Sequence, residues 1–184
     1  RLHSKQPTPY YATSGGIFMD CTIHDIDTAR YIAGSEIVEV STTATANDKG
    51  FAEFDDVDTV LVSLKFANGA IGQIENSRFA AYGHDTQAEV FGSLGKVHCG
   101  PNLADTVVLA TGDGLQMDTY LAHIDRYEYT FALEMEAFVE RVREGAATPE
   151  ERAADGLDGT AAVAVARAMK ESLDAGRPVA VEGF

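Results

Sequence analysis

The chain has 184 residues, 45% of them hydrophobic and 23% charged, a composition that suits one globular domain with a sizeable core. Fourteen Lys and Arg against 29 Asp and Glu give a formal charge of −15. Such a chain repels phosphate backbones and anionic lipid surfaces, which argues against nucleic acid and membrane as partners. No apolar run approaches the roughly 20 residues that cross a bilayer, and no charged-then-apolar leader is present. Cys21 and Cys99 are too few and too far apart for a disulfide framework, so the expected compartment is the reducing cytoplasm. The chain opens at Arg1 without a methionine and reads as a piece of a longer protein.

Residues 1–16 hold Pro7, Pro9 and the pair Gly15-Gly16, and predict an extended segment followed by a loop. A helix is predicted over 20–33, with Ile26, Ala29 and Ala33 as its apolar stripe and Gly34 at its C-terminal stop. Residues 36–46 are rich in Val and Thr, as strands are. In 58–66, Val60, Val62, Leu64 and Phe66 alternate with Thr59, Leu61, Ser63 and Lys65, the period of a strand with one buried face. Asn68-Gly69 then predicts a hairpin turn into a strand over 70–78. Further strands fit 86–91, 96–99 and 105–111, with a turn at Gly112-Asp113-Gly114.

The last third returns to helix. Phe131, Met135, Phe138 and Val142 form a helical stripe that predicts a core-facing side, ended by Gly145. A second helix over 157–175 is stopped by Gly176 and Pro178, and 179–181 offers a closing strand. With no internal repeat and no break in composition, the expectation is one domain over 1–184. Its class is α+β: an open, mainly antiparallel sheet with helices packed on one face.

Neither G-x-G-x-x-G nor G-x-x-x-x-G-K-[S/T] occurs, so the chain shows no nucleotide-phosphate cradle of its own. There is no G-x-S-x-G elbow and no H-E-x-x-H. His84, His98 and Cys99 fit no usual zinc spacing, and no metal is expected. The chemistry concentrates between Ser14 and Asp27. Asp20 and His24 are four residues apart and share a helix face opposite the Ile26/Ala29/Ala33 stripe. A carboxylate within reach of an imidazole orients it and stabilises its protonated form, the arrangement of a histidine general base. The same spacing also occurs as a plain surface pair worth a few tenths of a kcal/mol, and spacing alone does not separate the two. Tyr10-Tyr11 fits either the lining of a pocket or the anchoring of a loop.

The segment Gly15-Gly16-Ile17-Phe18-x-Asp20-x-x-Ile23-His24-Asp25-x-Asp27 resembles the opening of the C-terminal domain of the Gfo/Idh/MocA oxidoreductases. The stretch Ala81-Tyr82-Gly83-His84-Asp85-x-Gln87-x-Glu89-Val90-Phe91-Gly92-x-x-Gly95 is similar to that family's mid-sheet motif. Asp155-Gly156-Leu157, Glu171-Ser172-Leu173 and Gly176-Arg177-Pro178-Val179 resemble its final helix and tail. Three motifs in order span nearly the whole chain, and among the family's members the inositol 2-dehydrogenases match best. The resemblance implies the dihydrodipicolinate-reductase-like C-terminal fold and a two-domain enzyme that oxidises a ring hydroxyl of a cyclitol or sugar. It implies NAD or NADP held by an N-terminal Rossmann domain that also supplies a catalytic lysine and is absent from this sequence. The isolated chain is then expected to be inactive and to bind no dinucleotide tightly.

Carried over by motif, His24 would accept the hydroxyl proton and Asp20 would bind the substrate or orient the base. Tyr82 or His84 would line the polyol pocket, and Lys5 and Gln6 fall in a polar stretch that touches substrate. Members are commonly dimers or tetramers joined through the sheet, which implies a homo-oligomer here. The rival reading is a non-catalytic binding or assembly module on the same fold.

Overall fold

The computed structural model describes residues 8–100, 103–145 and 154–182. These group into two compact units. One comprises the described residues up to Arg78 together with those from Ala154 onward, and the other starts at Phe79.

The first unit opens with α1 (Thr8–Thr13), where an extended segment was expected. Pro9 is no obstacle, because a proline in the first helical turn forfeits no intrahelical hydrogen bond. A π-helical turn (Phe18–Thr22) follows and runs without a break into α2 (Ile23–Ala33). Gly34 ends α2 in the left-handed conformation, φ +55°. Four strands form the sheet: β1 (Ile37–Thr45), β2 (Thr59–Phe66), β3 (Ile71–Ser77) and the short β8 (Val179–Ala180). Their order is β3-β2-β1-β8 and every pairing is antiparallel. The Asn68-Gly69 turn sets the β2–β3 register at Lys65 opposite Ile71. There the Asn68 side chain accepts the Ala70 N–H at 3.0 Å, and Gly69 takes φ +87°.

Alternation along β2 comes out as its sequence requires: Val60, Val62, Leu64 and Phe66 are buried, and Leu61, Ser63 and Lys65 are exposed. On the buried face lie α2 and α4 (Gly156–Ala175), which contribute Ile26, Val165, Ala166 and Met169 to a core shared with Ile37, Val40 and Ile74. Asp155 and Asp158 cap α4 reciprocally at its N-terminus. Two buried polar devices join the layers. The Arg30 guanidinium meets Glu36 at 2.7 and 2.8 Å, Asp27 at 3.1 Å and Asp158 at 3.4 Å, tying α2 to the entry of β1 and the start of α4. Ser172 accepts the Thr42 N–H at 3.0 Å and donates to the Arg177 carbonyl at 2.7 Å. It stands where β8 is too short to pair with β1.

The second unit contains two separate hairpins, β4 (Ala88–Gly92) with β5 (Gly95–Cys99), and β6 (Leu103–Thr111) with β7 (Gly114–Thr119). It ends in α3 (His123–Glu144). Here the structure departs from expectation. The strands after residue 86 belong to hairpins and not to the main sheet, β7 is an additional strand, and α3 begins eight residues before Phe131. Its stripe of Phe131, Met135, Phe138 and Val142 is 49–70% exposed, not core. Periodicity identifies an apolar face, but it does not say whether the chain itself covers that face.

The Ser172 hydroxyl carries a measurable share of the first unit's stability. Ser172→Ala leaves the buried Thr42 strand N–H without a partner, so it is expected to cost about 1–3 kcal/mol in denaturant unfolding. Ser172→Thr, which keeps a hydroxyl, should recover part of that loss.

Candidate functional site

Gly15 and Gly16 both adopt positive φ, +82° and +80°. This turn swings the Ile17 N–H onto Asp56 Oδ1 at 3.0 Å. A Cβ on Gly16 would stand 3.1 Å from that same oxygen, so the close approach itself calls for glycine. The chain then enters the π-helical turn with Phe18 and Thr22 buried. Such turns are wider than α-helical ones and change the angular step between residues.

That altered step bears on Asp20 and His24. The expectation was a carboxylate–imidazole pair on one helix face. In the structure no hydrogen bond or ion pair joins the two, because Asp20 engages Arg78 and Tyr10 instead. Arg78 Nη1 donates to Asp20 Oδ2 at 2.5 Å, and the Tyr10 hydroxyl donates to Oδ1. The bond to Asp20, followed by desolvation, raises the Tyr10 pKa to about 12. His24 lies on the solvent side of α2 as predicted, and its ring has no hydrogen-bond partner among the described residues. Its backbone carbonyl accepts the Thr28 hydroxyl at 2.9 Å.

Arg78, just beyond β3, is fully buried. Its Nη2 reaches Asp56 Oδ2 at 3.2 Å, and its guanidinium lies 5.3 Å from the Tyr11 ring centroid and 5.6 Å from that of Phe51. Sequence reasoning missed this residue. Nothing in the local pattern distinguishes an arginine at the end of a strand, and the two carboxylates it joins lie 58 and 22 residues upstream. Cys21 sits against the same group, its Sγ 3.6 Å from Arg78 Nη1. Burial pushes the Cys21 thiol up to about 12 despite the cation beside it.

Asp25 is a second residue the sequence did not single out by role. Asn76 Nδ2 donates to Asp25 Oδ2 at 2.6 Å, while Asn76 Oδ1 is buried without a partner among the described residues. Desolvation raises the Asp25 pKa, opposed by the Asn76 hydrogen bond and by neighbouring His24.

Tyr82 and His84 belong to the second unit. Between them, Gly83 adopts φ +109° with the Tyr120 carbonyl against it, leaving no room for a Cβ. The His84 N–H donates to that carbonyl at 2.7 Å. The Tyr82 hydroxyl donates to Asp85 Oδ2 at 3.0 Å, and half of the residue is exposed. Arg126 Nη1 donates to His84 Nδ1 at 3.4 Å, which puts the ring proton on Nε2, and the Tyr127 ring stands edge-on 5.5 Å away. Lys5 and Gln6 lie outside the described residues. Among the described residues no three His, Cys, Asp or Glu side chains gather as metal ligands, and no helix is long and apolar enough to cross a membrane. A groove of about 470 Å³ runs along α4 and β8, lined in part by Arg167, Glu171, Arg177 and Glu182, and holds none of the motif residues.

An antiparallel sheet backed by helices, entered through a Gly-Gly turn with an acid and a histidine just beyond it, is the frame that carries the motif residues. The family model of the GFO/IDH/MocA C-terminal domain matches residues 1–98, and the chain belongs to that family. It is 40% identical over 188 residues to the myo-inositol 2-dehydrogenase of Thermotoga maritima, covering 99% of this chain and 55% of that protein. It is 36% identical over 177 residues to the scyllo-inositol 2-dehydrogenase (NAD(+)) of Bacillus subtilis, covering 96% of this chain and 51% of the relative. The crystal structure of a myo-inositol dehydrogenase from Corynebacterium glutamicum superposes with a TM-score of 0.90 at 34% identity, over all of this chain and 55% of that one. The chain thus spans about half the length of the relatives it matches.

The His84 environment gives a direct test. Burial, reinforced by Arg126 and His123, lowers its pKa from 6.5 to about 4. The folded chain therefore favours the neutral ring. The stability this contributes is complete above pH 6.5 and is lost as the pH falls toward 4. Titration of the His84 ring by NMR should show a midpoint near 4, well below the 6.5 of a free histidine. A midpoint near 6.5 would contradict the burial of the ring.

Proposed function

We propose that this chain is the substrate-binding and assembly half of an NAD(P)-dependent dehydrogenase that oxidises a ring hydroxyl of a cyclitol such as myo-inositol, or of a related sugar. The observation that carries the reading is the exposed His24 ring, without a hydrogen-bond partner among the described residues, one helical turn beyond the Arg78-bound Asp20, at the motif positions of a family whose similar members are inositol dehydrogenases. Asp20, bound on one side by the Arg78 guanidinium, accepts a hydrogen bond from a substrate hydroxyl and fixes the sugar's orientation. His24 takes the proton of the hydroxyl being oxidised, and its open flank lets a substrate oxygen reach the ring nitrogen. A polar lining of this kind suits a polyol, since each hydroxyl buried without a partner is costly.

Among the described residues no glycine-rich turn joins a strand to a helix as a dinucleotide cradle would. Gly112 and Gly114 belong to the β6–β7 hairpin turn and not to a strand-to-helix phosphate loop. NAD or NADP, the hydride acceptor in this reaction, would be held by an N-terminal Rossmann domain outside this sequence. The reading carries a cytoplasmic location with it, supported by the two free cysteines, Cys21 and Cys99.

Self-association completes the proposal. The second unit exposes Phe91, Leu94, Val97, Leu115, Met135 and Phe138, more apolar surface than monomeric domains usually leave to water. A second copy of the chain, covering these hairpins, is the proposed occupant. Light scattering at tens of micromolar should return a dimer or larger species, and a strict monomer would count against it.

His24 can be tested in the full-length protein. His24→Ala should lower kcat by about 10²–10⁴, the usual contribution of a positioned general base, with a smaller change in substrate affinity. Thermal stability should be nearly unchanged, because the ring is exposed. Wild-type turnover on myo-inositol without His24 would remove its assigned role.

A further inference from the structure

We propose that Arg78 is a positioning residue for Asp20, fixing the direction in which the free side of that carboxylate meets a substrate hydroxyl. The inference rests on the reading of Asp20 as a substrate ligand. Its physical basis is the geometry of one planar fork. Arg78 is fully buried, and its backbone N–H is held by the Asp58 carbonyl at 2.8 Å. One guanidinium nitrogen is set on Asp56 at 3.2 Å, and Asp56 is itself fixed by the Ile17 N–H at 3.0 Å. The rings of Tyr11 and Phe51 enclose the group. Those anchors fix the plane of the guanidinium, and in that plane Nη1 donates to Asp20 Oδ2 at 2.5 Å.

Asp20 is thereby held at Oδ2 from the buried side. Oδ1 faces the half-exposed Tyr10, whose hydroxyl it accepts. An oxygen has a second lone pair, so a substrate hydroxyl can join or replace the phenol there. Arg78 Nε is buried without a partner among the described residues, which indicates that the two carboxylates, and not saturation of the fork, set the guanidinium's orientation. A lysine supplies the charge but not the fixed fork.

The test is a double-mutant cycle in the full-length protein, with myo-inositol and NAD as the probes. Arg78→Lys should reduce kcat/KM by about 10²-fold, the scale of a misplaced reacting group, while the NAD dissociation constant stays unchanged. In an Asp20→Asn background the same change should cost less than about threefold, because its route of action is already gone. A purely structural role predicts the full loss in both backgrounds. That outcome, or wild-type kcat/KM in the Arg78→Lys protein, overturns the proposal. If Arg78→Lys does not fold, Asp56→Asn takes its place in the cycle. It withdraws one anchor, and the expected loss is about tenfold, again confined to the Asp20 background. Full turnover in Asp20→Asn alone would overturn the reading of the site itself, a failure distinct from an additive cycle.

Discussion

A buried guanidinium with two carboxylates is the constraint around which the first unit is arranged. Arg78 stands just beyond β3 and Asp56 just ahead of β2, two strands already paired antiparallel, while Asp20 lies in the π-helical turn, which no strand ladder ties to them. Removing such a cation from water is expensive, and a buried ion pair adds little net stability compared with apolar residues of the same shape. What it supplies is a link: one guanidinium ties the three segments together through two carboxylates. The Gly15-Gly16 turn follows from this, since the Ile17 N–H must reach an Asp56 already held by Arg78.

Charge is distributed unevenly in a molecule with 29 acids and 14 Lys and Arg. Arg30 and Arg78 are both buried, and each serves carboxylates from more than one segment. Arg30 locks α2, the start of β1 and the N-terminal end of α4, and so fixes the helix that carries His24. Arg78 fixes the turn that carries Asp20. The two motif residues sit on one unbroken helical run, and two independent cations refer that run to the same sheet.

Much of the first unit was legible in the sequence because its signals are local. The alternation in β2, the Asn-Gly turn, the stop at Gly34 and the limits of α4 each depend on residues within one or two turns of one another. The exposed His24 followed from the Ile26 stripe for the same reason. The partners of Asp20 were not legible, because a π-helical turn has no composition of its own and Arg78 reaches Asp20 across 58 residues. The second unit exposes another limit. Strand and helix patterns there identified element types, but its apolar stripe pointed outward, and a single chain's periodicity cannot tell a core from a surface awaiting a partner.

Cys21 lies in the turn beside Asp20, within reach of both members of the Asp20–Arg78 pair. With its thiol held near 12, it carries almost no thiolate at neutral pH. Alkylating reagents and peroxides react with the thiolate, so a sulfur placed against the proposed site offers them no nucleophile. An adjacent arginine would ordinarily activate a thiol; here desolvation outweighs it. Redox inertness at this position is a by-product of the same burial that orients the acid.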